Sequence, residues 1–279
     1  MKKLNYDTLL FEVIKKMKIS YNEILNKKKD STKIILSVVG CQRSGTTLLK
    51  QIFHRDINTY VFSEKSEVTG CGKNKLRLKP LNEIEEILDS KPFPIKVIKP
   101  LVESQNLDFI LDYFKNARAI WIYRNYRDVS LSNIYKFGIN NGIKDLKSVL
   151  DRKLSDWQCE RVPQHIYSIL KKSYDDKMDP YDAAALFWFV RNNFYFEHKH
   201  DIDSRVFLCK YEDLVVRPSV VMKRIYNWIG EVFPGDRCIK QVRSSSIGKG
   251  IKVDLSEDIE QLCQQMMERF DSIYFNTDF

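Results

Sequence analysis

The sequence predicts an α/β fold in which a central parallel sheet is covered by helices on both faces. Short apolar runs alternate along the chain with segments of helical periodicity, which is typical of β-α-β units. The apolar runs are continuous rather than alternating, as expected of strands buried on both faces. The 279 residues contain 43% hydrophobic and 30% charged residues, and this composition favours a single globular domain over 1–279.

The N-terminal segment, 1–30, is predicted to be a helix followed by a linker. Apolar residues recur at helical spacing through 4–26, and the KKKD run at 27–30 is typical of a solvated connection. An apolar helix face normally packs on its own domain, so packing against the domain is favoured. Because the helix also carries lysines, peripheral contact with an acidic membrane is the alternative.

Four predicted strands, each followed by a predicted helix, come next. Ser104 has the residue type and position of a helix N-cap. The predicted strands are 34–39, 59–63, 94–98 and 117–123, and the predicted helices are 45–55, 82–89, 104–115 and 127–137.

The segment 140–203 is predicted to be a helical insertion before the last strand, at 205–209. It is helical in pattern and rich in aromatic residues, and Asp179-Pro180 is a typical helix start. Its FWFVRNNFYF run favours a buried helix over the lining of a pocket. Two further helices are predicted, 218–228 and 256–270.

The stretch VGCQRSGTTLL, at 39–49, follows the first predicted strand and opens a helix. A strand–loop–helix turn directs backbone N–H groups and the positive end of the helix dipole at an anion. The nucleotide loop GxxxxGK[ST] has a lysine where this chain has Thr46, and in triphosphatases that lysine reaches the β- and γ-phosphates beside Mg²⁺. Arg43 and the hydroxyls favour an oxyanion bound without a metal. The alternative is a glycine turn that only starts a helix.

A second candidate anion site follows the strand at 117–123. Arg124 stands at the strand end, and Ser132 lies eight residues later, near the same face of the next helix. A guanidinium and a hydroxyl so placed suit a second phosphate. The alternative is an ordinary surface ion pair between Arg124 and Asp128.

Together, RSGTT and YRNYRDVSLS closely resemble the two nucleotide signatures of the sulfotransferases that use 3′-phosphoadenosine 5′-phosphosulfate (PAPS). The first loop looks closer to bacterial and tyrosyl-protein members than to the cytosolic small-molecule type, which carries a lysine there. The likeness runs from about residue 34 to 250 and is weakest between 138 and 200. It implies a P-loop-type three-layer fold, with the helical insertion on the acceptor side.

The resemblance also implies which residues bind the nucleotide. The first loop holds the 5′-phosphosulfate, Arg124 and Ser132 hold the 3′-phosphate, and a tyrosine in KYEDL contacts the adenine. A loop that closes over the 3′-phosphate corresponds to SSSIGKG, where the family's RKG pattern is only partly matched. The implied nucleotide-binding residues are Gln42, Arg43, Ser44, Gly45, Thr46, Thr47, Arg124, Ser132, Tyr211 and Lys249.

The acceptor needs a general base. The histidine that cytosolic members use is absent from KVIKPL at 96–101, whereas other members use a glutamate after the second strand. Glu64 lies 21 positions after Arg43, a separation that matches the tyrosyl-protein type, and Glu67 is nearby. The alternative for Glu64 is a surface ion pair with Lys65.

Two cations complete the predicted catalytic set. Arg43 is expected to stabilise the transferring oxygens and the phosphate left behind. Lys99, at a strand end, is a candidate contact of the sulfonate or bridging oxygen, and the alternative is a solvated lysine.

The sequence therefore predicts a sulfotransferase that moves a sulfuryl group from PAPS to a hydroxyl or amine, with adenosine 3′,5′-bisphosphate (PAP) as product. The expected acceptor is a carbohydrate, a glycolipid or a small molecule. Two other classes stay open. One is a variant small-molecule kinase, which needs a lysine and a metal carboxylate that the sequence does not place. The other is an inactive nucleotide-binding module.

Composition indicates which ligands and which cellular location to expect. Lys and Arg number 46 against 37 Asp and Glu, which suits an anionic ligand, and we expect no nucleic-acid partner. The six cysteines are scattered without a CxxC pair, and neither a secretory signal nor a membrane-spanning run is visible, so a cytoplasmic location is expected. The four histidines lack metal-ligand spacing, and His198 and His200 are expected at the surface.

Overall fold

The structure, a computed structural model, describes residues 16–24, 34–72, 76–100, 102–153 and 155–276. Its centre is a sheet of five parallel strands in the order β2-β3-β1-β4-β5. This arrangement confirms the predicted α/β fold class. The strands are β1 (Ile34–Gly40), β2 (Thr59–Phe62), β3 (Ile95–Ile98), β4 (Ala117–Tyr123) and β5 (Val206–Lys210).

Helices connect and cover these strands. Asn125 caps the helix after β4, where its side chain accepts the backbone N–H groups of Arg127 and Asp128, and Asp179 caps the longest connecting helix in the same way. The helices are α1 (16–24), α2 (Thr46–His54), α3 (Leu81–Asp89), α4 (Leu107–Tyr113), α5 (Tyr126–Phe137), α6 (Asn141–Leu150), α7 (Gln164–Ser173), α8 (Pro180–Glu197), α9 (Tyr211–Val216), α10 (Pro218–Trp228) and α11 (Glu257–Asn276).

The sheet separates two hydrophobic cores because successive side chains of a strand point to opposite faces. In β4, Trp121 and Tyr123 enter one core together with α5, α8 and α11. Ile120 and Ile122 enter the other core, which α2, α9 and α10 cover. The central strand β1 contributes to both cores, so the molecule has three layers.

Helix α8 lies within the predicted insertion and forms part of the layer on β4. Its residues from Asp182 to Tyr195 are all buried, and the stretch includes polar side chains besides the apolar ones. Asn192 accepts a hydrogen bond from the indole of Trp121 on β4 at 3.4 Å. The aromatic run is therefore core, as predicted, and Trp188 donates its indole N–H to the carbonyl of Arg124 at 3.1 Å.

Helix α1 docks through polar side chains. Lys18 donates to the carbonyls of His54 and Thr59, and Asn22 donates to the carbonyl of Ile57 at 2.9 Å. The apolar positions predicted to pack on the domain are exposed instead: Met17 by 68%, Tyr21 by 44% and Ile24 by 76%. The remainder of the predicted helix at 4–26 lies outside the described residues.

Other local predictions are wrong. Ser104 does not cap a helix over 104–115, because residues Ser104–Asn106 form a 3₁₀ turn and α4 begins at Leu107. The short helix α9 directly follows β5 without a predicted counterpart. His200 is buried rather than at the surface, with an exposure of 2%. Within the described residues, no helix combines the length and apolar character needed to cross a membrane.

Candidate active site

A cavity of about 950 Å³ opens at the carboxyl end of the sheet, where ligands of such folds bind. Each of the five strands delivers a lining residue within three positions of its end: Gln42 and Arg43 after β1, Glu64 after β2, Lys99 after β3, Arg124 after β4 and Tyr211 after β5. The volume lies within the usual range for small-molecule sites, roughly 300–1,000 Å³.

The structure brings the predicted site residues together, although their sequence positions span more than 200 residues. Ser44 is the exception, because it is fully buried beside the cavity and its hydroxyl has no hydrogen-bond partner among the described residues. The predicted residues that line the cavity are Gln42, Arg43, Gly45, Thr46, Thr47, Glu64, Lys99, Arg124, Ser132, Tyr211 and Lys249.

The first loop has an unusual backbone that glycine permits. Gly45 precedes α2 with φ 106°, and no side chain among the described residues caps this helix, which leaves its first N–H groups available to an anion. A Cβ on Gly45 would lie 2.4 Å from the ring of Tyr211, and one on Gly40 would lie 2.2 Å from the carbonyl oxygen of Ile122. Arg43 has φ 69°, a region that non-glycine residues rarely adopt. The loop is thus packed tightly between β4 and Tyr211.

Two arginines from distant segments meet in the cavity. The Nε of Arg43 donates to the hydroxyl of Ser132 at 3.0 Å, and Arg124 donates to the carbonyl of Arg43 at 3.2 Å. Burial and the neighbouring Arg124 both lower the pKa of Arg43. Holding like charges together in a partly buried site is unfavourable, and an anion would relieve the repulsion.

Arg124 is buried rather than at the surface, and it contacts several residues of the site. It is 6% exposed, and it pairs with Asp128 at 3.4 Å. The predicted alternative, an Arg124–Asp128 ion pair, is therefore present, but it lies inside the cavity. Arg124 also stacks over Tyr211 at 4.4 Å from the ring centre and donates to the carbonyl of Ser246 at 2.6 Å. Its Nε is buried and has no hydrogen-bond partner among the described residues.

A lysine and a carboxylate pair beside the first loop. Lys99 is 2% exposed, and its ammonium donates to Glu64 and to the hydroxyl of Thr47, the latter at 2.9 Å. Burial lowers the pKa of Lys99, and the hydrogen bond with Glu64 opposes that effect. The observed partner of Glu64 is Lys99 rather than Lys65, so the predicted surface ion pair is wrong.

A segment near the C-terminus, residues 246–250, covers the Arg124 end of the cavity. The hydroxyls of Ser246 and Tyr211 are hydrogen-bonded at 2.5 Å, and Lys249 lines the cavity. The backbone of this segment is held by Asp128, which accepts the N–H groups of Gly248 and Gly250. The segment expected to close over the 3′-phosphate thus lies beside Arg124 and Tyr211, and its contact with a phosphate stays a prediction.

Some contributors were not found from the sequence. Ser104 holds the start of the first loop, since its hydroxyl accepts the N–H of Gly40 at 3.4 Å and donates to the carbonyl of Gly40 at 3.3 Å. Apolar side chains of α5, among them Leu131, Tyr135 and Phe137, line the mouth. Long-range contacts of this kind leave no local signal. No group of three His, Cys, Asp or Glu side chains within the described residues is arranged to hold a metal ion.

Comparison with known protein families shows the family to which the chain belongs. A sulfotransferase domain model matches residues 32–249, which is most of the chain. The chain belongs to the sulfotransferase family. This sulfotransferase is accordingly a transferase enzyme, and its cavity is the candidate active site.

Solved structures show the same fold. The sulfotransferase is similar to the sulfotransferase domain from the olefin synthase of Synechococcus PCC 7002, with 18% identity, a TM-score of 0.54 and coverage of 88% of this chain and 97% of that one. It is similarly related to the sulfotransferase domain from the curacin biosynthetic pathway, with 14% identity, a TM-score of 0.54 and coverage of 85% and 99%. No curated protein matches this sulfotransferase.

Proposed function

We propose that this sulfotransferase uses PAPS as its sulfuryl donor and transfers the group to a hydroxyl or amine of its acceptor, with PAP as product. One observation carries the proposal: Arg43 and Arg124 line one cavity, where Arg43 donates to the hydroxyl of Ser132 and Arg124 donates to the carbonyl of Arg43. PAPS has anionic groups on both the 5′ and the 3′ side of its ribose and so requires two anion sites. A nucleoside triphosphate has its phosphates on one side only.

The two anion sites take different ends of PAPS. Gln42, Ser44 and Gly45 belong to the uncapped turn before α2, which receives the 5′-phosphosulfate together with Arg43. The buried hydroxyl of Ser44, which can donate to an anion, lies in the same turn and has no hydrogen-bond partner among the described residues. On the other side, Arg124, Ser132 and Lys249 receive the 3′-phosphate. Tyr211 lies between the first loop and Arg124 and contacts the adenine. Its place in the lining of the cavity supports this contact.

The transfer step follows from these positions. The acceptor oxygen or nitrogen attacks sulfur while the bond from sulfur to the bridging oxygen breaks, and PAP leaves with that bonding pair. Glu64 takes the proton of the acceptor. Arg43, Lys99 and the N–H groups of Thr46 and Thr47 stabilise the charge on the sulfuryl oxygens and the departing phosphate. We propose that these groups take the place of a metal, since Arg124 stands at the end of β4, where a metal-binding aspartate would be needed.

The acceptor belongs to the carbohydrates, glycolipids or small molecules. The cavity mouth has an apolar side, where Tyr135 is 92% and Phe137 is 45% exposed. The location of residues 140–203 on the acceptor side stays a prediction, as does peripheral contact of α1 with an acidic membrane. A cytoplasmic location also stays a prediction, supported by six free cysteines, all within the described residues.

Thermal unfolding tests the donor. PAP without Mg²⁺ should raise the melting temperature, because a ligand that binds only the folded state stabilises it. ATP with Mg²⁺ should leave the melting temperature unchanged. A shift with ATP and Mg²⁺ alone would favour the kinase, and no shift with PAP would refute the proposal.

Labelled PAPS tests the activity and narrows the acceptor. Sugars, glycolipids, phenols and peptides are incubated separately with the enzyme and sulfate-labelled PAPS. Transfer of label to one class identifies the acceptor. Binding of PAP without transfer to any class would favour the inactive nucleotide-binding module.

A further inference from the structure

The carboxylate of Asp128, in the first turn of α5, has a role beyond its ion pair. It is 3% exposed, and both of its oxygens accept backbone N–H groups from the segment 246–250. Oδ2 lies 3.0 Å from the nitrogen of Gly248, and Oδ1 lies 2.7 Å from that of Gly250. Two charge-assisted hydrogen bonds thus join residues about 120 positions apart.

The same segment is held from a second side. Arg124, the ion-pair partner of Asp128, donates to the carbonyl of Ser246 at 2.6 Å. The hydroxyl of Ser246 is hydrogen-bonded to that of Tyr211. Backbone atoms at both ends of the segment are therefore tied to residues that line the cavity.

Gly250 makes this close approach sterically feasible. A Cβ on Gly250 would lie 2.3 Å from the carbonyl carbon of Arg127, 2.4 Å from its oxygen and 2.6 Å from the nitrogen of Asp128. All three atoms belong to the backbone and cannot rotate away. A side chain at this position would push the segment off the start of α5.

A carboxylate in an anion site requires an explanation. Asp128 lines the same cavity as Arg124 and Ser132, where a phosphate is proposed to bind, and its charge would repel that phosphate. The two N–H groups and Arg124 offset this charge locally. If Asp128 served only to adjust the charge of the site, its removal would strengthen phosphate binding.

We propose that Asp128 is a positioning residue, which fixes the segment 246–250 over Arg124 so that Ser246 and Lys249 reach the 3′ side of the nucleotide. The inference rests on the proposed function for the identity of that nucleotide. It predicts that fixing the segment 246–250 strengthens nucleotide binding by more than the charge of the Asp128 carboxylate weakens it.

Asp128→Asn and Asp128→Ala test the proposal. Asparagine retains one acceptor oxygen and alanine none, so PAP affinity should fall about tenfold in the first variant and further in the second. KM for PAPS should rise more than kcat falls. In the protein without ligand, hydrogen exchange at the amides of Gly248 and Gly250 should accelerate in both variants. Gly250→Ala should weaken PAP binding without any change at Asp128.

Asp182→Asn is the matched control. Asp182 is also buried and also accepts a backbone N–H from the C-terminal part of the chain, that of Ser256 at 2.9 Å, but it does not line the cavity. Its substitution should leave PAP affinity and exchange at Gly248 unchanged.

Equal or tighter PAP binding by Asp128→Asn would overturn the proposal, as would unchanged exchange at Gly248 and Gly250. If the wild-type enzyme does not bind PAP at all, the proposed function fails. The exchange measurement still decides, on its own, whether Asp128 fixes the segment.

Discussion

At the scale of single residues, the pair of Glu64 and Lys99 determines how a base is kept near the donor. Lys99 is almost fully buried and holds the carboxylate of Glu64 beside Thr47 in the first loop. Contact with the sulfuryl oxygens would compete for the lysine protons and weaken its bond to Glu64. Binding of the donor would then leave the carboxylate available to the acceptor.

Glu64→Gln should lower kcat by about 10²- to 10⁴-fold, the usual contribution of a general base. PAP affinity should change little, because the proposed contacts of Glu64 are with the acceptor and Lys99. Glu67→Gln is the control, since Glu67 belongs to the same turn but bonds to Tyr60 and Lys91 away from the cavity. Transfer of label from PAPS measures kcat, and full activity in Glu64→Gln would remove Glu64 as the base.

The buried His200 should make stability dependent on pH. Neither of its ring nitrogens has a hydrogen-bond partner among the described residues, and Trp121 lies 5.9 Å away between ring centres. Burial lowers the pKa of His200 to about 4. The unfolded chain, with a histidine pKa of about 6.5, therefore binds more protons between those values. The stabilisation is complete above pH 6.5 and is lost as pH falls towards 4.

His200→Phe should flatten the free energy of unfolding over that window. The lowered pKa of His200 corresponds to a change of about 3 kcal/mol in the free energy of unfolding across this window. Urea denaturation at several pH values measures that change. His165→Phe is the control, because the side chain of His165 is 58% exposed. A His200→Phe profile parallel to that of the wild type would contradict the shift.

At the scale of secondary-structure elements, the start of α2 depends on one glycine. Gly45 and Gly230 both have positive φ, 106° and 80°. A Cβ on Gly230 would meet no atom of the described residues within 4 Å, whereas one on Gly45 meets Tyr211. The two positions therefore separate backbone strain from steric overlap.

Gly230→Ala should cost about 1 kcal/mol of stability from the left-handed backbone alone and should retain PAP binding. Gly45→Ala adds overlap with Tyr211 and Ile122, so it should cost more and abolish the shift in melting temperature with PAP. Urea denaturation gives the first quantity and thermal unfolding the second. Equal effects of the two variants would show that the ring of Tyr211 moves aside without loss of the site.

Strands were predicted well from the sequence because burial on both faces produces continuous apolar runs. The run at 117–123 coincides with β4. Helix α1 was predicted less well. Met17, Tyr21 and Ile24 are exposed, and Ile19 is only partly buried. Lys18 and Asn22 are buried against carbonyl groups at 54–59, and periodicity contains no information on such contacts. The candidate site shows the same contrast: the loop at 40–47 has a local signature, but Asp128 meets its partners about 120 positions later.

At the scale of the whole molecule, the cavity lies where the chain changes direction across the sheet. β1 and β4 are adjacent, but α2 packs in one core and α5 in the other. Connections that leave neighbouring strands on opposite faces open a crevice between them. The first loop precedes α2, and Arg124 precedes α5. A ligand in this crevice therefore contacts both layers.

Hydrogen exchange with two ligands tests this division. PAP should slow exchange both at 42–47, before α2, and at 124–132, around the start of α5. Adenosine 5′-monophosphate lacks the 3′-phosphate and should protect the first segment much more than the second. In Arg124→Ala, PAP should behave like the monophosphate, because the guanidinium that receives the 3′-phosphate is absent. Equal protection of 124–132 by both ligands in the wild type would place the 3′-phosphate elsewhere and separate Arg124 from nucleotide recognition.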